Sequence, residues 1–214
     1  MDGTLLDSEK VWEIALDELA ASLGGRLSAP ARASMVGSTL DRSVRILHAD
    51  VGTTADERRS GEFLQQRTDE LFRTHLEFRP GAVEILDALR AAEMPLALVT
   101  STQRALTDIA LDWMGRSYFD VSVCGDEVSE PKPAARPYEL AAELLGVDPR
   151  RCVAIEDSPI GIASAEAAQC AVLAVPSEVP IPEAATRTVR SSLVGLDLQD
   201  LTDILRRRLA LDVS

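Results

Sequence analysis

Residues 152–168, CVAIEDSPIGIASAEAA, decide the fold class of this chain. The segment begins with a short apolar run, continues through the acid pair Glu156-Asp157, and ends in a helical pattern of small and apolar residues. A buried strand followed by a polar turn and a helix is the repeating unit of parallel α/β sheets. The segment therefore predicts such a unit, with two carboxylates at the carboxyl end of its strand.

The same pattern recurs in both directions from this segment. Further β-prone runs are found at residues 95–100, 119–124 and 171–175, with a candidate last strand at 188–193. Helical patterns accompany them at residues 82–92, 103–114, 134–145, 161–168 and 198–209. Residues 9–23 have helical periodicity that ends at Gly24-Gly25, and further helical stretches follow near residues 29–36, 41–49 and 54–75. We therefore predict a helical region followed by a parallel sheet that is covered on both faces.

The composition bounds the possible functions. The chain has 214 residues, enough for one domain with a small satellite, and 35 acidic against 22 basic residues give a net charge of −13. Such an acidic balance argues against a nucleic-acid partner and against docking on an anionic membrane. No apolar run approaches the roughly 18–20 residues that cross a bilayer, and the first residues do not resemble a signal peptide. The three cysteines form no CxxC pair, so we expect free thiols. We also expect a cytoplasmic location and, by default, a monomer.

Polar residues follow several of the predicted strands, where open parallel sheets bind their ligands. Glu156 and Asp157 offer the hard oxygen atoms that suit magnesium. Thr100 offers a hydroxyl, and the backbone N–H of Ser101 lies at a predicted helix start, which favours a phosphate. Lys132, within Glu-Pro-Lys-Pro, is a compact cation suited to an anionic group. Together these residues favour phosphoryl chemistry, which needs mostly positioning and charge neutralisation.

Each of these residues also has a plainer interpretation. Lys132 between two prolines fits an exposed loop, and the acid pair at 156–157 fits a helix cap. At the N-terminus, Asp2-Gly3 fits a tight turn that presents a carboxyl and backbone N–H groups, whereas Asp7-Ser8 fits the cap of the first helix. The ordered set on the predicted strand ends, more than any single member, supports a functional site.

The motifs in their order resemble a haloacid dehalogenase superfamily phosphatase, of the branch that includes β-phosphoglucomutase and phosphoglycolate phosphatase. The resemblance covers essentially the whole chain. It rests on DGTLLDSE at 2–9, RPGAVEILDALR at 79–90, LALVTST at 96–102, EPKPAARPYELAAELLGV at 130–147 and CVAIEDSPIGIASAEAA at 152–168. It implies a Rossmann-like parallel sheet core at residues 1–8 and 79–214, with an inserted α-helical cap at residues 9–78 that closes over the substrate.

The resemblance also implies a role for each candidate residue. Thr100 and the N–H of Ser101 would hold the phosphate, and Lys132 would neutralise it. Asp157 and Glu156 would bind Mg²⁺. Asp2 would act as general acid and base, a role worth about 10²–10⁴ in rate, while its backbone carbonyl touches the metal.

One departure from the family's pattern concerns the nucleophile. The first motif of the family is Asp-x-Asp-Gly-Thr, and its first aspartate attacks phosphorus. Here Met1 stands at x and Asp2 is the second aspartate, so the nucleophile and the strand that carries it have no residues in this sequence. We favour a misplaced start over a true loss, because the remaining motif residues are intact. For the chain as printed we expect little or no phosphatase activity.

The resulting prediction is Mg²⁺-dependent hydrolysis of a small phosphorylated metabolite, such as a sugar phosphate. A phosphosugar mutase is one alternative, disfavoured because the mutases have an arginine near position 40, although Arg42 and Arg45 are nearby. A non-catalytic phosphate-binding protein is the other alternative. Dehalogenation is disfavoured because dehalogenases lack the acid pair. For substrate contacts in the cap, the candidates are Thr39, Leu40 and Arg42.

Overall fold

The computed structural model describes residues 1–35, 38, 40–177 and 179–211. Its chain divides into two compact units, one formed by Met1–Asp7 with Glu77–Ser214 and the other by Ser8–Leu76. The sequence had placed these divisions at 8/9 and 78/79. That the second unit is a cap that closes over a substrate stays a prediction.

The unit Ser8–Leu76 is helical in its described residues. Its helices are α1 (Glu9–Ser22), α2 (Ala29–Met35), α3 (Leu40–Val51) and α4 (Glu57–Thr74). Helix α4 begins after Asp56, whose side chain accepts hydrogen bonds from the backbone N–H groups of Arg58 and Arg59, as expected of an N-cap. The apolar stripe of α4 packs against α1 and α3, and its residues Leu64, Leu71 and Phe72 are fully buried.

The other unit alternates strands and helices, as the sequence predicted. Its strands are β1 (Ala97–Val99), β2 (Val121–Val123), β3 (Val153–Glu156), β4 (Ala171–Ala174) and β5 (Arg187–Val189). Its helices are α5 (Ala82–Ala91), α6 (Arg104–Met114), α7 (Arg136–Leu145), α8 (Pro159–Ala167) and α9 (Leu198–Leu211). The last strand ends earlier than the run 188–193 suggested, because the backbone N–H of Arg190 makes a final bond to Ala174 and the chain then turns.

Every strand pair is parallel, which confirms the predicted class. Strand β1 pairs with β2, and β3, β4 and β5 form a second sheet in that order. Strand β4 has a neighbour on each side, and all of its residues are buried. Strands β1 and β3 each have one strand neighbour among the described residues. Alternate residues of each strand, beginning with the first, are half-buried.

Strand β4 divides the core into two apolar layers. Ala171 and Leu173 face a layer with residues of α5 and α9, whereas Val172 and Ala174 face a layer with residues of α8. This alternation follows from the two-residue period of a strand. The layers cover both faces of the sheet, so polar ligands can reach it at the ends of its strands.

The cysteines are free thiols, as predicted. Burial raises the pKa of Cys124 and Cys152, and it raises the pKa of Cys170 to about 12. These thiols therefore stay protonated at neutral pH. Within the described ranges, no helix combines the length and the apolar character that crossing a bilayer demands.

Candidate active site

Hydroxyl groups gather at the carboxyl end of β1. Thr100 is buried, and its backbone N–H donates to the carbonyl of Val123 on the neighbouring strand. The Thr100 hydroxyl accepts a hydrogen bond from the backbone N–H of Thr102. The hydroxyl of Thr102 donates to Oδ2 of Asp2 at 2.7 Å, and that of Thr100 lies 3.5 Å from the same oxygen. The end of β1 therefore fixes the carboxylate of Asp2.

Ser101 is exposed between these two threonines. The loop after β2 packs on its backbone, because a Cβ atom at Gly125 would overlap the Ser101 carbonyl. Helix α6 begins three residues later, at Arg104. The structure thus holds the Ser101 backbone in a supported turn just before a helix.

Residues 1–6 form a tight turn. The carbonyl of Met1 accepts from the backbone N–H groups of Thr4, Leu5 and Leu6. Gly3 has a φ of 65°, in the left-handed region that glycine adopts without strain. A Cβ atom there would overlap Asp157, so the turn packs directly against the end of β3.

The two carboxylates at the end of β3 have different partners. Asp157 accepts hydrogen bonds from two hydroxyl groups, that of Thr4 at 2.8 Å and that of Ser177 at 2.8 Å. Glu156 is buried and accepts from Lys132 Nζ at 2.5 Å and from the hydroxyl of Tyr138, both on its Oε1 atom. Glu156 is the last residue of β3, whereas Asp157 lies in the turn that follows, so the adjacent acids face different groups.

Lys132 joins the carboxyl ends of β1 and β3. Its Nζ donates to the carbonyl of Val99 at 3.1 Å and to Glu156, and it lies 5.2 Å from the ring centroid of Tyr138. The side chain of Lys132 is 7% exposed and that of Glu156 is 6% exposed, so this is a buried ion pair. An exposed loop lysine, one of the alternatives raised by the sequence, is therefore incorrect.

Helix α8 is capped by Ser158, whose hydroxyl accepts from the backbone N–H of Gly161 at 3.2 Å. The acid pair at 156–157 does not supply this cap, so the capping alternative is also incorrect. A Cβ atom at Gly161 would overlap the carboxylate of Glu156. Gly161 therefore gives Glu156 the space it occupies beside α8.

Burial and the neighbouring charge of Glu156 raise the pKa of Tyr138 well above its ordinary value. Its hydroxyl consequently keeps its proton and acts as the donor to Glu156. One cation, Lys132, thus meets the negative charge of Glu156, while Asp2 and Asp157 are hydrogen-bonded to hydroxyl groups.

The donor chemistry of Asp2 and Asp157 fits magnesium. Magnesium is commonly held by one or two carboxylates, with the remaining positions filled by water and substrate phosphate. Glu156 fits this role less well, because one of its oxygens already serves Lys132 and Tyr138. Across the described residues, no three acidic, histidine or cysteine side chains come together as a ready-made metal cluster.

Most of the residues predicted from the sequence lie at one edge of the α/β unit. Contacts link Asp2, Thr100, Lys132, Glu156 and Asp157 to the ends of β1 and β3. The candidate substrate residues lie elsewhere in the chain. Leu40 is half-buried and Arg42 is exposed on α3, in the helical unit, and Thr39 lies outside the described residues.

Sequence reasoning assigned no role to Thr4, Thr102, Ser177 and Tyr138 at this edge, although the hydroxyl of Thr4 donates to Asp157. Thr102 lies two positions after the chosen Thr100, and Ser177 follows the predicted strand 171–175, so both carried the strand-end signal. Tyr138 carried no such signal, because an aromatic residue in an amphipathic helix is typical of a core position.

A parallel α/β unit with carboxylates, hydroxyls and a buried lysine at its strand ends is typical of α/β enzymes, which bind their ligands at this edge of the sheet. The model of the family described as "Haloacid dehalogenase-like hydrolase" matches residues 1–175. The chain belongs to this family.

Curated relatives agree with this assignment, and a solved structure shares the fold. The phosphoglycolate phosphatase of Chromobacterium violaceum is 32% identical over 82% of this chain and 82% of its own length. Hexitol phosphatase A of Escherichia coli is 31% identical, with 84% of this chain and 83% of the relative covered. The crystal structure of CbbY from Rhodobacter sphaeroides in complex with phosphate covers 94% of this chain and 96% of its own, with 24% identity and a TM-score of 0.75. The chain is a phosphatase-type hydrolase of this family, whose relatives act on small phosphates.

Proposed function

We propose that the full protein hydrolyses a small phosphomonoester with the help of Mg²⁺ and through an aspartyl phosphate. The observation that carries the proposal is the buried Lys132, which links the ends of β1 and β3 beside the hydroxyl-bound Asp2 and Asp157. A buried cation next to carboxylates that have hydroxyl partners favours an anionic ligand accompanied by a metal ion.

The phosphoryl group binds at the end of β1 in this proposal. The hydroxyl of Thr100 and the backbone N–H of Ser101 donate to its oxygens, and the ammonium group of Lys132 neutralises its charge. Thr100 is buried and held by Thr102, which supports a fixed donor position. Fixed donors and charges lower the barrier because they need no rearrangement during the reaction.

Asp2 transfers the protons. Its carboxyl group protonates the leaving oxygen as the ester bond breaks, and it then takes a proton from the water that attacks phosphorus. The hydrogen bond from Thr102 to Oδ2 holds the carboxyl group in place. General acid–base catalysis of this kind contributes about 10²–10⁴ in rate.

Magnesium would be held by Asp157 and by the backbone carbonyl of Asp2, with Glu156 as a further candidate ligand. When bound, it neutralises phosphoryl charge and orients the group for attack. In this proposal the attacking carboxylate is the first aspartate of the family's Asp-x-Asp-Gly-Thr motif, whose second aspartate is Asp2. Little or no turnover is expected of a chain without that first aspartate.

The substrate is a small phosphorylated metabolite, and a sugar phosphate is the favoured class. The printed names of two relatives, phosphoglycolate phosphatase and hexitol phosphatase, support this class. Thr39, Leu40 and Arg42 stay candidates for substrate contacts.

The test compares the printed chain with the same chain extended upstream by a native segment that ends in aspartate. The extended protein should hydrolyse p-nitrophenyl phosphate in the presence of Mg²⁺, whereas the printed chain should not. In the extended protein, Asp2→Asn should lower kcat by about 10²–10⁴.

Equal hydrolysis by both forms would overturn the assignment of the nucleophile. Binding of phosphate and Mg²⁺ by the extended protein without turnover would favour the non-catalytic alternative. Activity that depends on a sugar bisphosphate would favour the mutase.

A further inference from the structure

The chain contains two tyrosines, and each donates its hydroxyl to a carboxylate. Tyr118 donates to Asp87 at 2.5 Å in an exposed setting. Tyr138 donates to the buried Glu156, and its aromatic ring also lies beside Lys132. In the second arrangement, the tyrosine contacts both members of a buried ion pair. A tyrosine that needed only an acceptor for its hydroxyl would contact only one of them.

The atoms of this arrangement show a shared acceptor. Oε1 of Glu156 receives both the ammonium group of Lys132 and the hydroxyl of Tyr138. The carboxylate also lies so close to Gly161 that a Cβ atom there would overlap it. Glu156 is therefore held from several sides, with one oxygen facing the lysine.

Lys132 is held in a similar way. Its ammonium group donates to Val99 and Glu156 and lies 5.2 Å from the ring centroid of Tyr138. An ammonium group has three N–H donors, and its two acceptors among the described residues leave one donor for a ligand oxygen. A cation at this distance from an aromatic ring is attracted by the negative face of the ring.

We propose that Tyr138 is a positioning residue that adjusts Lys132 for phosphate binding. This inference rests on the proposed function, because Lys132 is taken to meet the phosphoryl group. The hydroxyl of Tyr138 satisfies part of the charge of Glu156, so the carboxylate neutralises Lys132 less completely. The ring holds the ammonium group in place without consuming one of its N–H donors.

Removing the hydroxyl has a definite consequence. Glu156 loses one of two donors to the same oxygen, and a buried carboxylate compensates by drawing closer to its remaining partner. Lys132 is then more strongly committed to Glu156 and less available to a phosphoryl oxygen. Phosphate affinity should fall even though the ring, the ion pair and the fold remain.

The experiment measures binding of inorganic phosphate to the full printed chain by isothermal titration calorimetry in a buffer that contains Mg²⁺. We expect Tyr138→Phe to weaken phosphate binding about 3- to 10-fold. This is less than the roughly 10- to 150-fold that loss of a direct hydrogen bond to a charged group would cause, because the hydroxyl acts on the phosphate only through Glu156 and Lys132. Tyr138→Leu should weaken binding further, because it also removes the ring.

Tyr118→Phe is the matched control, since it removes the same hydroxyl–carboxylate hydrogen bond at a position that does not touch Lys132. It should leave phosphate affinity unchanged. Melting temperatures of both Phe variants separate an effect on binding from an effect on stability.

Wild-type affinity in Tyr138→Phe, or an equal loss in Tyr118→Phe, would overturn the positioning role. The double variant Lys132→Met/Glu156→Gln removes the cation without leaving a buried charge unpaired, and its melting temperature shows that it is folded. If this folded variant bound no phosphate in that case, the proposed function would survive the failure of this inference. If the wild-type chain bound no phosphate, or the double variant bound it as the wild type does, both proposals would fail.

Discussion

Two ion pairs near strand ends of the α/β unit differ sharply in their exposure to water. The Lys132–Glu156 pair lies between the ends of β1 and β3, with side chains that are 7% and 6% exposed. The Arg104–Glu127 pair lies beside β2, with side chains that are 30% and 37% exposed. The chemistry of the two pairs is alike, but water can solvate the members of only the second pair when the pair breaks.

The exposed pair covers one edge of β2. Arg104 donates to the side-chain and backbone oxygens of Ser122, and Glu127 accepts from the backbone N–H of Cys124. These groups point away from β1, because the alternate residues Val121 and Val123 make the bonds to β1. A strand edge whose polar groups are already bonded is less available for pairing with another chain.

The same pairing of charges therefore has different consequences at different depths in the protein. A buried charge that loses its partner keeps its desolvation cost, whereas an exposed charge recovers solvation. We therefore expect large effects of substitution at the strand ends of the candidate site and small effects at the β2 edge.

Removing Lys132 should have the largest effect. Lys132→Met leaves Glu156 buried without its cation, and we expect the free energy of unfolding to fall by about 3–5 kcal/mol at neutral pH. Urea denaturation measures this loss. The double variant Lys132→Met/Glu156→Gln removes both charges and should recover most of it. A loss below about 1 kcal/mol in the single variant would show that the pair behaves like a surface pair.

A smaller effect is expected where the backbone of α8 makes room for Glu156. Gly161→Ala places a methyl group against that carboxylate, and overpacking of this kind costs about 1–3 kcal/mol. Gly61, within α4, is the control, because a Cβ atom there meets open space. Gly61→Ala should stabilise by about 0.5–1 kcal/mol through helix propensity. Thermal unfolding compares the two, and stabilisation by both would contradict the proposed crowding.

The exposed pair should show the smallest effect. Arg104→Ala should lower the free energy of unfolding by about 1 kcal/mol or less. The hydrogen bond from Arg104 lowers the pKa of Glu127 below its ordinary value of 4.5. Because the folded pKa is depressed, this stabilisation is present above about pH 4.5 and is lost as the pH falls through the folded pKa.

Denaturation of Arg104→Ala and wild type across this pH range checks the prediction. The difference between the two proteins should be largest near neutral pH and should shrink in acid. Arg136→Ala is the matched control, since Arg136 pairs with the exposed Glu143 and, among the described residues, makes no hydrogen bond or ion pair to the β2 edge. A difference that grows in acid would contradict the assigned cause.

The alternation of strands and helices, and the strand ends that carry polar residues, could be predicted from the sequence alone. Residues 152–168 predicted strand, turn and helix correctly, because apolar runs, N-caps and helical periodicity are local signals. The same signals placed Thr100 and the acid pair at strand ends. Local signals were weakest for β5, because the end of this strand depends on where its backbone hydrogen bonds to β4 end.

The hydrogen-bond and ion-pair partners of each polar residue could be identified only from the tertiary structure. From the sequence, Glu156 and Asp157 were interpreted as one acid pair. In the fold, Glu156 accepts hydrogen bonds from a lysine and a tyrosine, whereas Asp157 accepts them from two hydroxyl groups. Lys132 lies between two prolines in the sequence, and the fold buries its side chain between two strand ends. The physical reason is that strand and helix signals are local in the sequence, whereas the neighbours of a side chain at a strand end come from distant segments that come together in the folded chain.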